Sequence, residues 1–151
     1  IIQARMNSSR LPGKDMMPLC GKPIVEHIYD RLKNVNYVKK VLVVTTDHPS
    51  NEILKKFLVT KKIDFYSHNN ENDIVGRICN AISKYNSNYI LKINSDCPLV
   101  DPFLINKLVN KLLENKIDIM ASLRDGIYSD LNYFGLDYNQ DLTEKLNVIT
   151  N

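Results

Sequence analysis

The sequence predicts an α/β fold, a three-layer, mostly parallel sheet with helices on both sides. Three observations carry that expectation. Residues 41–46 form an unbroken β-branched and leucine run, the pattern of a strand covered on both faces. Short runs of this kind alternate along the chain with apolar stripes of helical period. No repeat, low-complexity tract or linker interrupts the alternation, so all 151 residues are expected to form one domain.

Each element has its own signal. Ile1 and Ile2 look like the end of a buried strand. Gly21, Lys22 and Pro23 then open a helix with proline in its first turn, and Ile24, Val25, Ile28, Tyr29 and Leu32 form its stripe. The strand at 41–46 ends at Asp47, Pro49 and Ser50, which cap a helix carrying Ile53, Leu54, Phe57 and Leu58. A short strand is expected at 63–66. Asp73 can cap the next helix, whose inner face is Ile74, Val75, Ile78, Ile82 and Tyr85. Residues 89–94 read as a strand, and Pro102 opens a helix with Phe103, Leu104, Ile105, Leu108, Leu112 and Leu113. Residues 117–122 are the next expected strand. Asp141 would cap a last helix with Leu142, Leu146 and Ile149 inward.

Composition excludes several classes of function. A net charge of +3, with no Lys/Arg block and no aromatic-basic interleaving, argues against nucleic acid as a partner. No apolar run approaches the roughly 20 residues of a membrane span, and no signal peptide is evident at this N-terminus. Cys20, Cys79 and Cys97 are far apart and read as buried thiols of a reducing cytoplasm. His27, His48 and His68 have no metal-ligand spacing, and no Gly-x-Ser-x-Gly elbow is present.

The chemistry concentrates in the loop after the first strand. It carries Arg5, Arg10 and Lys14, small hydroxyls at Ser8 and Ser9, and the turn residues Pro12 and Gly13. Three cations on one compact loop repel one another unless a polyanion sits among them. The carboxyl edge of an open α/β sheet is where such ligands bind, and a nucleoside triphosphate fits best. An ordinary P-loop does not fit, because Ser8 replaces its first glycine and Asp15 its magnesium-binding hydroxyl. A second acidic turn, Asp96 to Asp101, leaves the strand at 89–94 at the same edge. One carboxylate facing a triphosphate is what a Mg²⁺ bridge requires, so Asp96 is the candidate ligand, while Asp101 reads as a cap before Pro102. Asp137 follows a short apolar stretch, and spacing alone leaves its meeting Asp96 at the metal open.

These segments resemble the CTP-dependent sugar nucleotidyltransferases. The best match is the cytidylyltransferase family associated with spore-coat and other surface polysaccharides, whose relatives make CMP-activated acidic sugars such as sialic acid and Kdo. The resemblance rests on residues 1–14, 18–27, 73–77 and 95–102, and on a closing pattern at Gly135, Leu136, Asp137, Asp141 and Leu142. It implies a Rossmann-like nucleotide-binding half of the nucleotide-diphospho-sugar transferase type. Arg5, Arg10 and Lys14 would hold the triphosphate of CTP, and Arg77 would lie near the nucleotide. Gln3, Ala4, Ser8, Ser9 and Asn94 would line the same site. Asp96 and Asp137 would be the Mg²⁺ ligands, with Arg5, Lys14 and Asp96 as the catalytic groups. A sugar hydroxyl would attack the α-phosphorus in line and release pyrophosphate. The resemblance allows a homodimer.

The chain departs from the family in detail and in length. Asn7-Ser8-Ser9 stands for the usual Gly-Ser-Thr, Lys92 for a frequent Arg, and Asn94-Ser95 for Thr-Gly. Between the strand at 117–122 and the closing motif, family members carry several dozen more residues. Either this sequence omits that stretch near 123–132 or the protein has lost it; survival of the closing motif favours omission. The rival functions are a nucleotidyltransferase with another base or a non-sugar acceptor, and a nucleotide-binding domain without chemistry.

Overall fold

In the computed structural model, the described residues are 1–115 except 86 and 88, with the backbone alone of 120–124 and 127–134. The leading apolar residues form β1 (Ile2–Gln3). The basic loop and a 3-10 turn over Lys14–Met16 lead to a small antiparallel hairpin of β2 (Pro18–Leu19) and β3 (Lys22–Pro23). Both turn residues of this hairpin, Cys20 and Gly21, have positive φ, at 48° and 83°. That is the backbone of the turn that matches strand twist in two-residue hairpins. Helix α1 (Ile24–Leu32) follows, so Pro23 is the extended residue before it and not part of its first turn.

β4 (Val43–Thr46) is buried throughout, as the β-branched run predicts. A 3-10 turn over Pro49–Asn51 then joins α2 (Glu52–Thr60). The cap of that turn is the His48 ring, which accepts the Ser50 amide, and not Asp47 or Ser50. β5 (Phe65–His68) begins two residues later than expected. Asp73 caps α3 (Ile74–Ile82) by accepting the Gly76 amide. β6 (Ile93–Asn94) is the short ladder-forming end of the expected strand. Asp101 accepts the Phe103 amide and caps α4 (Pro102–Glu114), in which Pro102 is the first residue. β7 (Met120–Arg124) and β8 (Ile127–Phe134) pair antiparallel. The closing segment with Asp137, Asp141, Leu142, Leu146 and Ile149 lies outside the described residues.

The main sheet has the order β5-β4-β1-β6, and every pairing in it is parallel. From β1 the chain moves outward through β4 to β5, then returns to place β6 on the other side of β1. The helices follow that reversal. α1, α2 and α4 pack on one face through Val25, Ile28, Leu32, Leu54, Leu58, Ile105 and Leu112, against Ile2, Val43 and Ile93. α3 covers the other face, where Ala81 meets Leu42 and Val44. Each fully buried side chain of this set contributes roughly 1.5–3 kcal/mol. Several apolar residues expected to face inward are exposed: Ile53, Ile74, Phe103, Leu104 and Leu113. They are the flanking members of stripes wider than the sheet can cover. Nor are the thiols all buried: Cys20 is exposed on its turn, and Cys79 and Cys97 are partly covered.

Candidate active site

The strand order reverses at β1, and the loops leaving β1 and β6 lie side by side at the carboxyl edge of the sheet, the place of the ligand crevice in open α/β sheets. Both chemically marked loops leave the sheet here. The register sets Gln3 beside Asn94, and the Ser95 amide donates to the Gln3 carbonyl at 3.1 Å. The two loops then meet through side chains: Lys14 Nζ lies 2.7 Å from Asp96 Oδ2. Burial works to raise the Asp96 carboxyl, but the hydrogen bond and charge of Lys14, with Arg10 beyond, outweigh it and hold it below the ordinary carboxylate range. Asp96 is therefore ionised at neutral pH, as a metal ligand must be.

The basic loop is pinned at both ends. Ala4 still belongs to the sheet, donating to the Val44 carbonyl. The next two amides find side-chain acceptors: Arg5 N–H donates to Asp15 Oδ2 at 2.7 Å, and Met6 N–H to Asn51 Oδ1 at 2.8 Å. Gly13, in the left-handed conformation at φ 76°, returns its N–H to the Met6 carbonyl at 2.7 Å. The side chains of Arg5 and Arg10 are left exposed along the loop, with Ser9; Ser8 is partly covered.

Arg77 comes to the site from α3. It is 1% exposed, its Nη2 donates to the Glu71 carbonyl at 2.7 Å, and its Nε is buried without a partner. Burial first, then the like charge of nearby Arg5, lowers its pKa, while Glu71 and Asp73 oppose. Glu71 in turn accepts a hydrogen bond from Asn7 Nδ2, which ties the basic loop to the turn before α3. A carboxylate can only accept, so the Asn7 amide must present its nitrogen there. Its Oδ1, like Gln3 Oε1, is buried and unpartnered. Three orphaned polar groups on the elements that meet at this crevice are what a hydrogen-bonding ligand would satisfy.

The structure thus gathers Gln3, Ala4, Arg5, Arg10, Lys14, Asn94 and Asp96 at one edge, with Arg77 beside Arg5. Asp137 lies outside the described residues. Sequence reasoning missed Asp15, Asn51 and Glu71. Asp15, which the sequence marks only as a departure from the P-loop, is wholly buried beneath the loop. Among the described residues no three His, Cys, Asp or Glu side chains cluster to hold a metal. The donor set fits Mg²⁺ nevertheless, because that ion takes one or two carboxylates and completes its shell with phosphate oxygens and water.

A parallel sheet with a cationic loop and a carboxylate at its switch point defines a nucleotide-binding domain of the nucleotide-diphospho-sugar transferase type. Comparison with known proteins narrows the class. The chain belongs to the cytidylyltransferase family, whose model matches residues 1–145. It is 30% identical over 129 residues to the 3-deoxy-manno-octulosonate cytidylyltransferase of Geotalea daltonii, covering 85% of this chain and 50% of that protein. The Haemophilus influenzae enzyme of the same name is 26% identical over 145 residues, covering 96% and 56%. Among solved structures, a cytidylyltransferase from Leptospira borgpetersenii superposes with a TM-score of 0.81 at 27% identity, covering 98% of this chain and 62% of that one. CMP:2-keto-3-deoxy-manno-octonic acid synthetase complexed with CTP shares the fold, with a TM-score of 0.64 at 20% identity over 95% of this chain and 66% of that one. The chain spans about half the length of the curated relatives it matches.

Proposed function

We propose that the protein transfers a cytidylyl group from CTP to an acidic sugar and releases pyrophosphate. The observation that carries this reading is the meeting of Lys14 and Asp96 across the switch point, which puts the cationic loop and an ionised carboxylate at one crevice. Arg5, Arg10 and Lys14 hold the triphosphate. A sugar hydroxyl attacks the α-phosphorus in line, the new P–O bond replaces the bond to the β-phosphate oxygen, and the hydroxyl proton passes to solvent. The cations receive the charge that moves onto the leaving pyrophosphate, so positioning and neutralisation do most of the work. Asp96, with Asp137, would hold Mg²⁺, which supplies further neutralisation of the phosphates when bound.

The relatives' names support an octulosonate-type acceptor, since they act on 3-deoxy-manno-octulosonate. The sugar-side segment is taken to be missing from this sequence near residues 123–132. A cytoplasmic surface-polysaccharide enzyme, working as a homodimer, is the setting this reading implies. No helix of the described residues is long and apolar enough to cross a membrane.

The test is Mg²⁺-dependent pyrophosphate release by the full-length protein from each of the four nucleoside triphosphates, with a panel of acidic sugars. CTP-specific release requiring one sugar is the expected result, and Asp96→Ala should reduce it by at least about 100-fold. Nucleotide binding without release would leave a binding domain. Release from another triphosphate would move the base assignment.

A further inference from the structure

Asp15 is the most deeply buried acid among the described residues, with 0% exposure. An ionisable carboxyl in such a place is expensive unless it performs a task. Its Oδ2 accepts the Arg5 amide, the first N–H past the sheet and so the first without a strand partner. Asp15 itself sits at the far end of the same loop, in the turn that carries Lys14. Together with the Gly13-to-Met6 hydrogen bond, this contact closes residues 5–15 into a ring. Arg5, Arg10 and Lys14 all project from that ring.

The ring meets the second loop through Lys14, whose Nζ lies 2.7 Å from Asp96 Oδ2. Burial pushes the Asp15 carboxyl above its ordinary value, against the opposing pull of Ser95, the Arg5 amide and Lys14, and its Oδ1 is buried and unpartnered. Ser95 precedes Asp96, whose charge also acts on Asp15. The basic loop and the Asp96 loop are therefore tied through the ring that Asp15 closes.

We infer that Asp15 is a positioning residue, which by closing the 5–15 ring sets where the triphosphate-binding cations stand relative to Asp96. The inference rests on the proposed function, whose site it supports. Loss of the acceptor would free the Arg5 amide and loosen the ring, and misplacement of reacting groups by about 1 Å can cost 100-fold.

The experiment compares Asp15→Ala and Asp15→Asn with the wild-type full-length chain. It reads hydrogen exchange at the Arg5 and Met6 amides, the Kd for CTP, and kcat and KM separately. Asp15→Ala should lose amide protection and weaken CTP binding by about 10- to 100-fold. Asp15→Asn keeps an oxygen for the Arg5 amide and should restore protection and stay within about threefold of wild type. Equal losses in both variants would show that the charge matters and overturn the positioning role. So would an Asp15→Ala protein that melts at lower temperature but binds CTP normally once folded. A wild-type chain that binds no CTP, although Asp15→Ala still exposes the Arg5 amide, would overturn the proposed function and the positioning role with it. The exchange result distinguishes that failure from absence of the ring.

Discussion

Asn51 shows what a single side chain can do for a site it does not touch. Wholly buried, it takes the Met6 amide on Oδ1 and donates Nδ2 to the Thr46 carbonyl at 3.1 Å and to Thr46 Oγ1 at 2.7 Å. Asn51→Ala would leave the Met6 amide and the Thr46 carbonyl unpaired, and a drop of about 2–4 kcal/mol is expected by chemical denaturation. Arg77→Met should keep the fold but weaken CTP binding at least tenfold in a calorimetric titration, since it removes the buried cation beside Arg5. At this scale the sequence made the cations legible, because clustered like charges need an explanation. It hid Asp15 and Asn51. Their bonds span 10 and 45 residues, and an Asn before a helical stripe or an Asp after a Lys reads as ordinary capping or solvation.

The elements carry two further tests. α2 ends with the Lys62 amide on the Val59 carbonyl and the Ile63 amide on the Leu58 carbonyl, the paired bonds of a left-handed helix stop. Lys62 occupies the left-handed position at φ 55°, which glycine adopts without steric cost. Lys62→Gly should therefore stabilise the protein by about 1 kcal/mol in urea unfolding. Beyond β4, Asp47 accepts the Ser67 hydroxyl of β5 and lies 3.3 Å from Lys55 of α2. The Ser67 hydrogen bond leads in lowering its pKa below 3.8, aided by Lys55 against partial burial. A depressed carboxyl stabilises the fold above its unfolded pKa and stops doing so as pH falls through the folded value. Stability below about pH 4 should thus fall less steeply in Asp47→Asn, and identical slopes would refute the linkage. Helices and strands were legible here as periods and β-branched runs, but their ends were not. The hairpin of β2 and β3 went unseen because cysteine, with no preference for positive φ, holds its first turn position.

For the whole molecule, the rhythm of strands and helices foretold the three layers, yet nothing in it foretold on which side of β1 the fourth parallel strand would lie. That choice makes the crevice, and it is settled by α3 crossing to the opposite face. A ligand held at the crevice binds only the folded chain, so Mg²⁺ with CTP at 100 times its Kd should add about 2.7 kcal/mol of stability. A thermal scan with and without nucleotide would read it, and an unchanged midpoint at that concentration would count against the site.

The strand order also governs how the molecule comes together. β1 is the first strand in the chain and the inner neighbour of both β4 and β6, with Ile2 paired to Val43 and to Ile93. Neither partner is near it in sequence, and such long closures slow folding. During synthesis the basic loop must wait, unsupported on one side, until some eighty residues have followed it. On the proposed function, nucleotide binding by a nascent or refolding chain would be a late event, and its onset would time the docking of β6.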